Sequence, residues 1–318
     1  MSTSWNSEQI PDQSGRLVVV TGANSGIGLV TARELAGKGA KVLVACRNTA
    51  KGEQAVGQMR AKLGSKGADA ELEVRRLDLA DLGSVRDFAE GTIAEHPEGL
   101  DLLINNAGVM APPRQETADG FELQFGTNHL GHFALTGLLF DQLRKKPDSR
   151  VVTVSSNAHK MGRINFDDLQ SKERYMRWNA YGQSKLANLI FAIDLQKRLD
   201  EAGLSMKSMA AHPGLSATNL WTAGAGPGGG LINLLSTPVK AVSNRLLAQD
   251  AGAGAEPTLF AATEDVPGGS YIGPDGIGEF RGSPEIVAPR RVARNTEIAA
   301  RLWDESVELT GVEYDFSG

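Results

Sequence analysis

A short apolar run, Leu17–Val20, leads straight into Thr21-Gly22-Ala23-Asn24-Ser25-Gly26-Ile27-Gly28. The residues that follow repeat at helical spacing, with Ile27, Val30, Thr31, Glu34 and Leu35 on one pattern, so Ile27–Leu35 reads as a helix. The order strand, glycine-rich turn, helix constrains the chain more than any other feature. A strand that empties into a helix start aims backbone N–H groups and the positive end of the helix dipole at one point. Glycine lets a ligand come close to that backbone, so the turn reads as an anion cradle suited to a pyrophosphate. A tight turn without a ligand has the same composition, and its place between strand and helix is what favours the cradle.

The pattern continues downstream. Val42–Ala45, Leu72–Leu77, Leu100–Ile104, Arg150–Val154, Lys207–Ala211 and Ser270–Ile272 read as further strands. Helices are predicted over Thr49–Leu63 with Asn48 as cap, from Asp81 toward Glu95, from Thr117 to Lys145 and from Ala180 to Ala202. Continuous apolar strands between amphipathic helices predict an α/β fold of the single-domain Rossmann type, a doubly wound, mostly parallel sheet with helices on both faces. Residues 1–15 read as a polar N-terminal extension and 16–318 as one catalytic domain, with a lid near 215–248 around Leu220, Trp221 and the Gly/Pro-rich Gly224–Gly230.

Composition excludes several functions. The net charge is −5 and no basic run stands out, so a nucleic-acid partner is not expected. No stretch of about 18 apolar residues predicts a membrane span, and the first residues lack the apolar core of a signal peptide. Cys46 is the single cysteine, so no internal disulfide and no metal cluster is expected. The five histidines show no ligand spacing; His129, His132, His159 and His212 read as structural. The expectation is a cytoplasmic protein acting on a small molecule.

At Thr21, Gly22, Gly26 and Gly28 the chain resembles the short-chain dehydrogenase/reductase family, whose first strand runs into a Thr-Gly-x-x-x-Gly-x-Gly turn. The resemblance extends from about Arg16 to Ile272. It implies that Gly22, Asn24, Ser25, Gly26, Ile27 and Gly28 hold a dinucleotide. Cys46 stands where NAD-preferring members carry an acid that accepts from the ribose hydroxyls. Arg47 follows it, and a guanidinium suits the 2′-phosphate of NADP(H); a solvated surface charge is the plainer reading. Lys51 is open to the same two readings. Asp78-Leu79 resembles the pair that contacts adenine, although Asp78 also fits a helix start. Asn106, Ala107 and Gly108, after strand four, imply a turn beside the cofactor or simply a turn that steadies the sheet.

Tyr181-Gly182-Gln183-Ser184-Lys185 places a tyrosine and a lysine four apart, on one helix face. A free phenol has a pKa of about 10, and an ammonium with an oxidised nicotinamide beside it would favour the phenolate. By resemblance Tyr181 is the catalytic acid/base, Lys185 also serves the nicotinamide ribose, and Asn128 holds a water that relays protons to Lys185. Of Ser155 and Ser156, at the end of strand five, the second is expected to orient the substrate carbonyl. Pro213, Gly214 and Thr218 are expected near the nicotinamide.

Ser156 and Tyr181 are separated by an inserted segment, Asn157 to Ala180, longer than in many family members. This resembles the branch of the retinol dehydrogenases, the WW-domain-containing oxidoreductase and the light-dependent protochlorophyllide reductases. It implies a lipophilic carbonyl or alcohol, with Met110, Met176, Trp178 and Trp221 as candidate apolar walls. The rival is a noncatalytic nucleotide-binding redox sensor, which needs the cradle but not Asn128, Ser156, Tyr181 and Lys185. A methyltransferase has no task for Tyr-x-x-x-Lys. The helices near Thr117–Lys145 and Ala180–Ala202 resemble those that pair family members, so a homo-oligomer is expected unless the segment from Pro289 onward covers them.

Overall fold

Alternating strands and helices wind into one mostly parallel sheet in a computed structural model that describes residues 5–214 and 251–317. Among these residues eight strands order as β3-β2-β1-β4-β5-β6-β7-β8. They are β1 Leu17–Thr21, β2 Lys41–Cys46, β3 Leu72–Arg76, β4 Leu102–Asn105, β5 Arg150–Val154, β6 Lys207–Ala211, β7 Tyr271–Pro274 and β8 Pro284–Ile286. All pairs are parallel except β7 with β8, an antiparallel edge. The order reverses beside β1, where β1 pairs with both β2 and β4. Crevices at such a reversal, outside the carboxyl ends of the strands, are where open α/β sheets bind ligands.

Alternation along each strand feeds two cores. Val18, Val20, Val42 and Val44 pack on one face against α1 (Gly26–Ala36), α2 (Thr49–Leu63) and α8 (Ala251–Thr263). Leu17, Val19, Leu43 and Val151 pack on the other against α3 (Leu82–Glu95), α5 (Gly131–Leu138) and α7 (Arg177–Glu201). Local chemistry sets the helix starts. Asn48 accepts from Lys51 N, and Asp81 accepts from Gly83 N and Ser84 N, which satisfies donors that a first turn leaves open. The first residues are less detached than an extension suggests: Ile10 is buried, and Trp5 Nε1 donates to Glu264 at 2.8 Å.

The long helix expected from Thr117 is broken into parts. Residues 117–122 form a turn, with Phe121 N donating to Thr117 Oγ1. Buried Glu122 then caps α4 (Leu123–Phe125) by accepting from Gln124 N and Phe125 N. A π-helical turn, Gly126–Leu130, follows before α5 and α6 (Phe140–Arg144). Three elements were not expected: α8, β8 and α9 (Thr296–Thr310).

The C-terminal helix α9 lies on α5 and α7, the helices assigned above to subunit pairing. Its Trp303 ring packs against Phe133 at 5.1 Å and Phe191 at 6.0 Å, and the Arg198 guanidinium sits 4.0 Å over it. Beyond the helix, Tyr314 Oη donates to the Phe133 carbonyl at 2.6 Å. The segment after Pro289 therefore packs on both of these helices. Trp303 is buried, so Trp303→Ala should lower unfolding free energy by about 3–5 kcal/mol, read from urea titration. A loss below about 1 kcal/mol would mean that α9 docks without this ring.

Candidate active site

The carboxyl ends of β1, β2, β4 and β5 open on one cleft of about 420 Å³. Gly22, Asn24, Ser25, Gly26, Ile27 and Gly28 line one wall, at the N-terminus of α1. Gly22 adopts φ +67°, and a Cβ there would press on Ala107. A Cβ on Gly28 would collide with Asn106 Nδ2 and the Gly22 carbonyl. Both positions thus require glycine for the turn to fold back on itself. No acidic side chain stands in the first turn of α1, and Ser25 makes no side-chain cap, so the open N–H groups face the cleft. This is a fit for a pyrophosphate.

The adenosine end lies at the tip of β2. Cys46 is buried with Sγ 3.3 Å from the Asn48 carbonyl, and burial pushes its thiol up. Arg47 and Lys51 are exposed on the cleft rim. No carboxylate pairs with Arg47 among the described residues. Asp78 and Leu79 also line the cleft, and Asp78 Oδ1 accepts from Ala80 N at 3.1 Å, so the side chain shapes its own turn as well. Asn106, Ala107 and Gly108 form the floor. Thr21 organises them: its Oγ1 accepts from Asn106 N and Ala107 N, both at 2.9 Å.

At the other end of the cleft Ser156, Tyr181, Lys185 and Pro213 come together. Tyr181 and Lys185 stand on the first turns of α7, both buried. Lys185 Nζ donates to the Val154 carbonyl at 3.0 Å and lies 6.0 Å from the Tyr181 ring centre. Burial lowers the Lys185 ammonium to about 8. Burial raises the Tyr181 phenol to about 12, with the Ser156 hydroxyl pulling the other way. Without a nicotinamide beside it, the phenol is thus an acid: desolvation outweighs the Ser156 hydrogen bond, and the phenolate expected beside Lys185 is not reached.

The two serines separate cleanly. Ser155 Oγ donates to the Lys185 carbonyl at 2.8 Å and is committed to packing. Ser156 Oγ accepts from Ala158 N at 3.2 Å, so its own proton is not spent on the backbone and faces the Tyr181 phenol and the cleft. Asn128 is buried behind the cleft, inside the π turn. Its Oδ1 accepts from Val109 N, and its Nδ2 donates to the Val109 carbonyl and to Ser184 Oγ. Both amide protons are committed, so only oxygen lone pairs remain for a water. Gly108 sits between Asn128 and Lys185; a Cβ on it would stand 3.1 Å from Asn128 Oδ1 and 3.5 Å from Lys185 Nζ.

Gly214 turns at φ +65° beside Pro213. Thr218, Leu220, Trp221 and the expected lid lie outside the described residues. Trp178 stands edge-on to Tyr181 at 6.2 Å and is half exposed, as is Met176. His129, His132, His159 and His212 are all buried, and among the described residues no cluster could hold a metal ion. No helix among them is long and apolar enough to cross a membrane. Val109 and Thr127, which no motif marks, also line the cleft, and Thr21 is the hub of its floor. Thr21 was visible as the first residue of the turn motif, but nothing in the sequence told that its hydroxyl reaches the β4 turn.

The sequence profile of the short chain dehydrogenase family matches residues 16–225. Human retinol dehydrogenase 12 is 43% identical over 310 residues, covering 95% of this chain and 88% of its own. A crystal structure of an uncharacterised protein from Mycobacterium paratuberculosis is 46% identical, with a TM-score of 0.80, over 98% of this chain and all of the other. A short chain dehydrogenase from Shigella flexneri complexed with NADP is 22% identical, with a TM-score of 0.58, over 79% of this chain and 92% of that one. At that distance the likeness shows the fold alone. The cradle, the Tyr181–Lys185 pair and these relatives agree: the chain belongs to the short-chain dehydrogenase/reductase family, in the branch of the retinol dehydrogenases, and is an oxidoreductase of alcohols and carbonyls.

Proposed function

We propose that the protein is an NADP(H)-dependent oxidoreductase that interconverts a lipophilic carbonyl and its alcohol. The observation that carries this is one cleft joining the glycine cradle to Ser156, Tyr181 and Lys185. A redox sensor would need the cradle alone. The phosphate preference rests on the tip of β2, where Cys46-Arg47-Asn48 offers a guanidinium and no acid. The lipophilic substrate rests on the half-exposed Trp178 ring edge-on to Tyr181, and on relatives named for retinol.

In this reading Gly22 to Gly28 and the α1 N-terminus hold the pyrophosphate, Arg47 the 2′-phosphate, and Lys185 the nicotinamide ribose. Asp78, Leu79 and the Asn106–Gly108 turn hold the adenosine side. When bound, the nicotinamide supplies or takes up hydride. Ser156 donates a hydrogen bond to the carbonyl oxygen. Tyr181, protonated at neutral pH, gives that oxygen its proton as charge develops, and the Lys185 ammonium stabilises the phenolate that remains. Asn128 holds the β4 turn against α7 so that these groups keep their positions, and its side-chain oxygen can accept from a relaying water.

Cofactor preference is checked by titrating NADPH and NADH against protein fluorescence. NADPH should bind more tightly, and Arg47→Ala should narrow the gap by about 1.5–3 kcal/mol. Tighter NADH binding by the unmodified protein would overturn the assignment.

The second expectation joins Tyr181 to pH. Tyr181→Phe should retain NADPH binding and lower single-turnover carbonyl reduction by about 100- to 10,000-fold. In the unmodified protein the reduction rate should be level through neutral pH and fall above about 8, where Lys185 loses its proton. Tyr181 adds no limb there, since its proton is held to about 12. A profile level to pH 10, or a Phe variant of normal rate, would remove these residues from the chemistry.

A further inference from the structure

His132 lies in the first turn of α5, four residues after Asn128, and is buried. Both ring nitrogens have partners at 2.9 Å. Nδ1 meets the main-chain carbonyl of Asn128, and Nε2 meets the Thr21 hydroxyl. A carbonyl only accepts, so Nδ1 carries a proton. Burial, with the Lys185 charge nearby, holds the imidazole down to about 4, so the ring is neutral and Nε2 is bare. Thr21 Oγ1 therefore donates to His132; the Ile104 carbonyl, at 3.3 Å, is its more distant alternative.

These directions form one chain. The N–H groups of Asn106 and Ala107 donate to Thr21 Oγ1, Thr21 donates to His132, and His132 donates to the Asn128 carbonyl. At one end the β4 turn forms the cleft floor. At the other, Asn128 grips Val109 and Ser184, the residue beside Lys185. A second tie runs parallel: the His132 carbonyl accepts from Thr136 Oγ1, which accepts from Asn105 Nδ2.

We propose that His132 is a positioning residue that locks the cofactor-binding turn after β4 to the π turn behind Lys185, without transferring a proton itself. A neutral ring with one donor and one acceptor fits this place, because the Asn128 carbonyl needs a donor and the Thr21 hydroxyl needs an acceptor. A phenylalanine would fill the volume and satisfy neither. The His132 ring gives the Asn128 carbonyl, inside the π turn, a side-chain donor as well. The functional half of the proposal rests on the assignment of the cleft to a nicotinamide cofactor.

The test has two arms. Imidazole nitrogen NMR of the unmodified protein should find His132 protonated at Nδ1 alone, unchanged between about pH 5.5 and 8.5. A proton on Nε2, or titration within that range, overturns the coupling whatever the cleft binds. The second arm compares two variants. His132→Asn keeps a donor near Nδ1, and His132→Gln keeps an acceptor near Nε2. The Asn variant should bind NADPH about 3- to 10-fold more weakly, with turnover at saturating cofactor within about twofold. The Gln variant should show the reverse split. Equal losses of affinity and turnover in both variants, tracking a lowered unfolding midpoint, would mark a merely structural histidine and overturn the proposal. If the unmodified protein bound neither NADPH nor NADH, the functional half would fall together with the cofactor assignment, while the tautomer would still report on the coupling.

Discussion

An ammonium group buried at the end of a parallel sheet is the constraint on which the site depends. Lys185 is 4% exposed, and among the described residues no carboxylate pairs with it. Removing such a charge from water is costly unless fixed dipoles replace the water. The Val154 carbonyl supplies one such dipole at 3.0 Å. The surroundings are accordingly stiff: β5 on one side, α7 beneath, and Asn128 binding the β4 turn to Ser184. The same dryness acts oppositely on the neighbour, lowering Lys185 to about 8 and raising Tyr181 to about 12. Burial thereby yields a protonated phenol beside an ammonium that is still largely charged at neutral pH, the arrangement that carbonyl reduction requires.

The sheet was legible chiefly because its central strands β1, β2 and β4 are buried on both faces and so read as short apolar runs. Arg150–Val154 and Lys207–Ala211 carry the boundaries expected of them, as does α2 with its Asn48 cap. The segment after β4 was not legible as it stands. Apolar spacing cannot distinguish an α turn from a π turn, which shifts the register by one residue at Asn128. The cap of α4 was hidden too, since a glutamate in a helical pattern reads as surface, whereas Glu122 is buried and accepts two backbone N–H groups. Helix α8 is built from alanine and glycine around Pro257 and offers no periodic signal, and β8 is a three-residue edge.

For the site, glycine spacing marked the cradle and the Tyr181–Lys185 interval the acid end, while the family resemblance, not spacing, pointed to Arg47, Asp78, Leu79, Asn106–Gly108, Ser156 and Pro213. What they left out are residues that act through others. Thr21 and His132 look from sequence like a turn residue and a core histidine, because their partners Ala107 and Asn128 are brought to them only by sheet closure. The C-terminal segment is similar: Trp303 reveals its purpose once Phe133 and Phe191 are seen beneath it.

The central claim is that one cleft brings a nicotinamide and the Tyr181 phenol to the same carbonyl. Reduction of a lipophilic aldehyde with NADPH deuterated on the reactive face of nicotinamide C4 tests this most directly. The account predicts that the deuterium appears on the carbinol carbon of the product, one atom for each turnover, with the hydroxyl proton drawn from solvent. An alcohol carrying no label from either C4 face, or NADPH oxidised with its deuterium released to water, would contradict it.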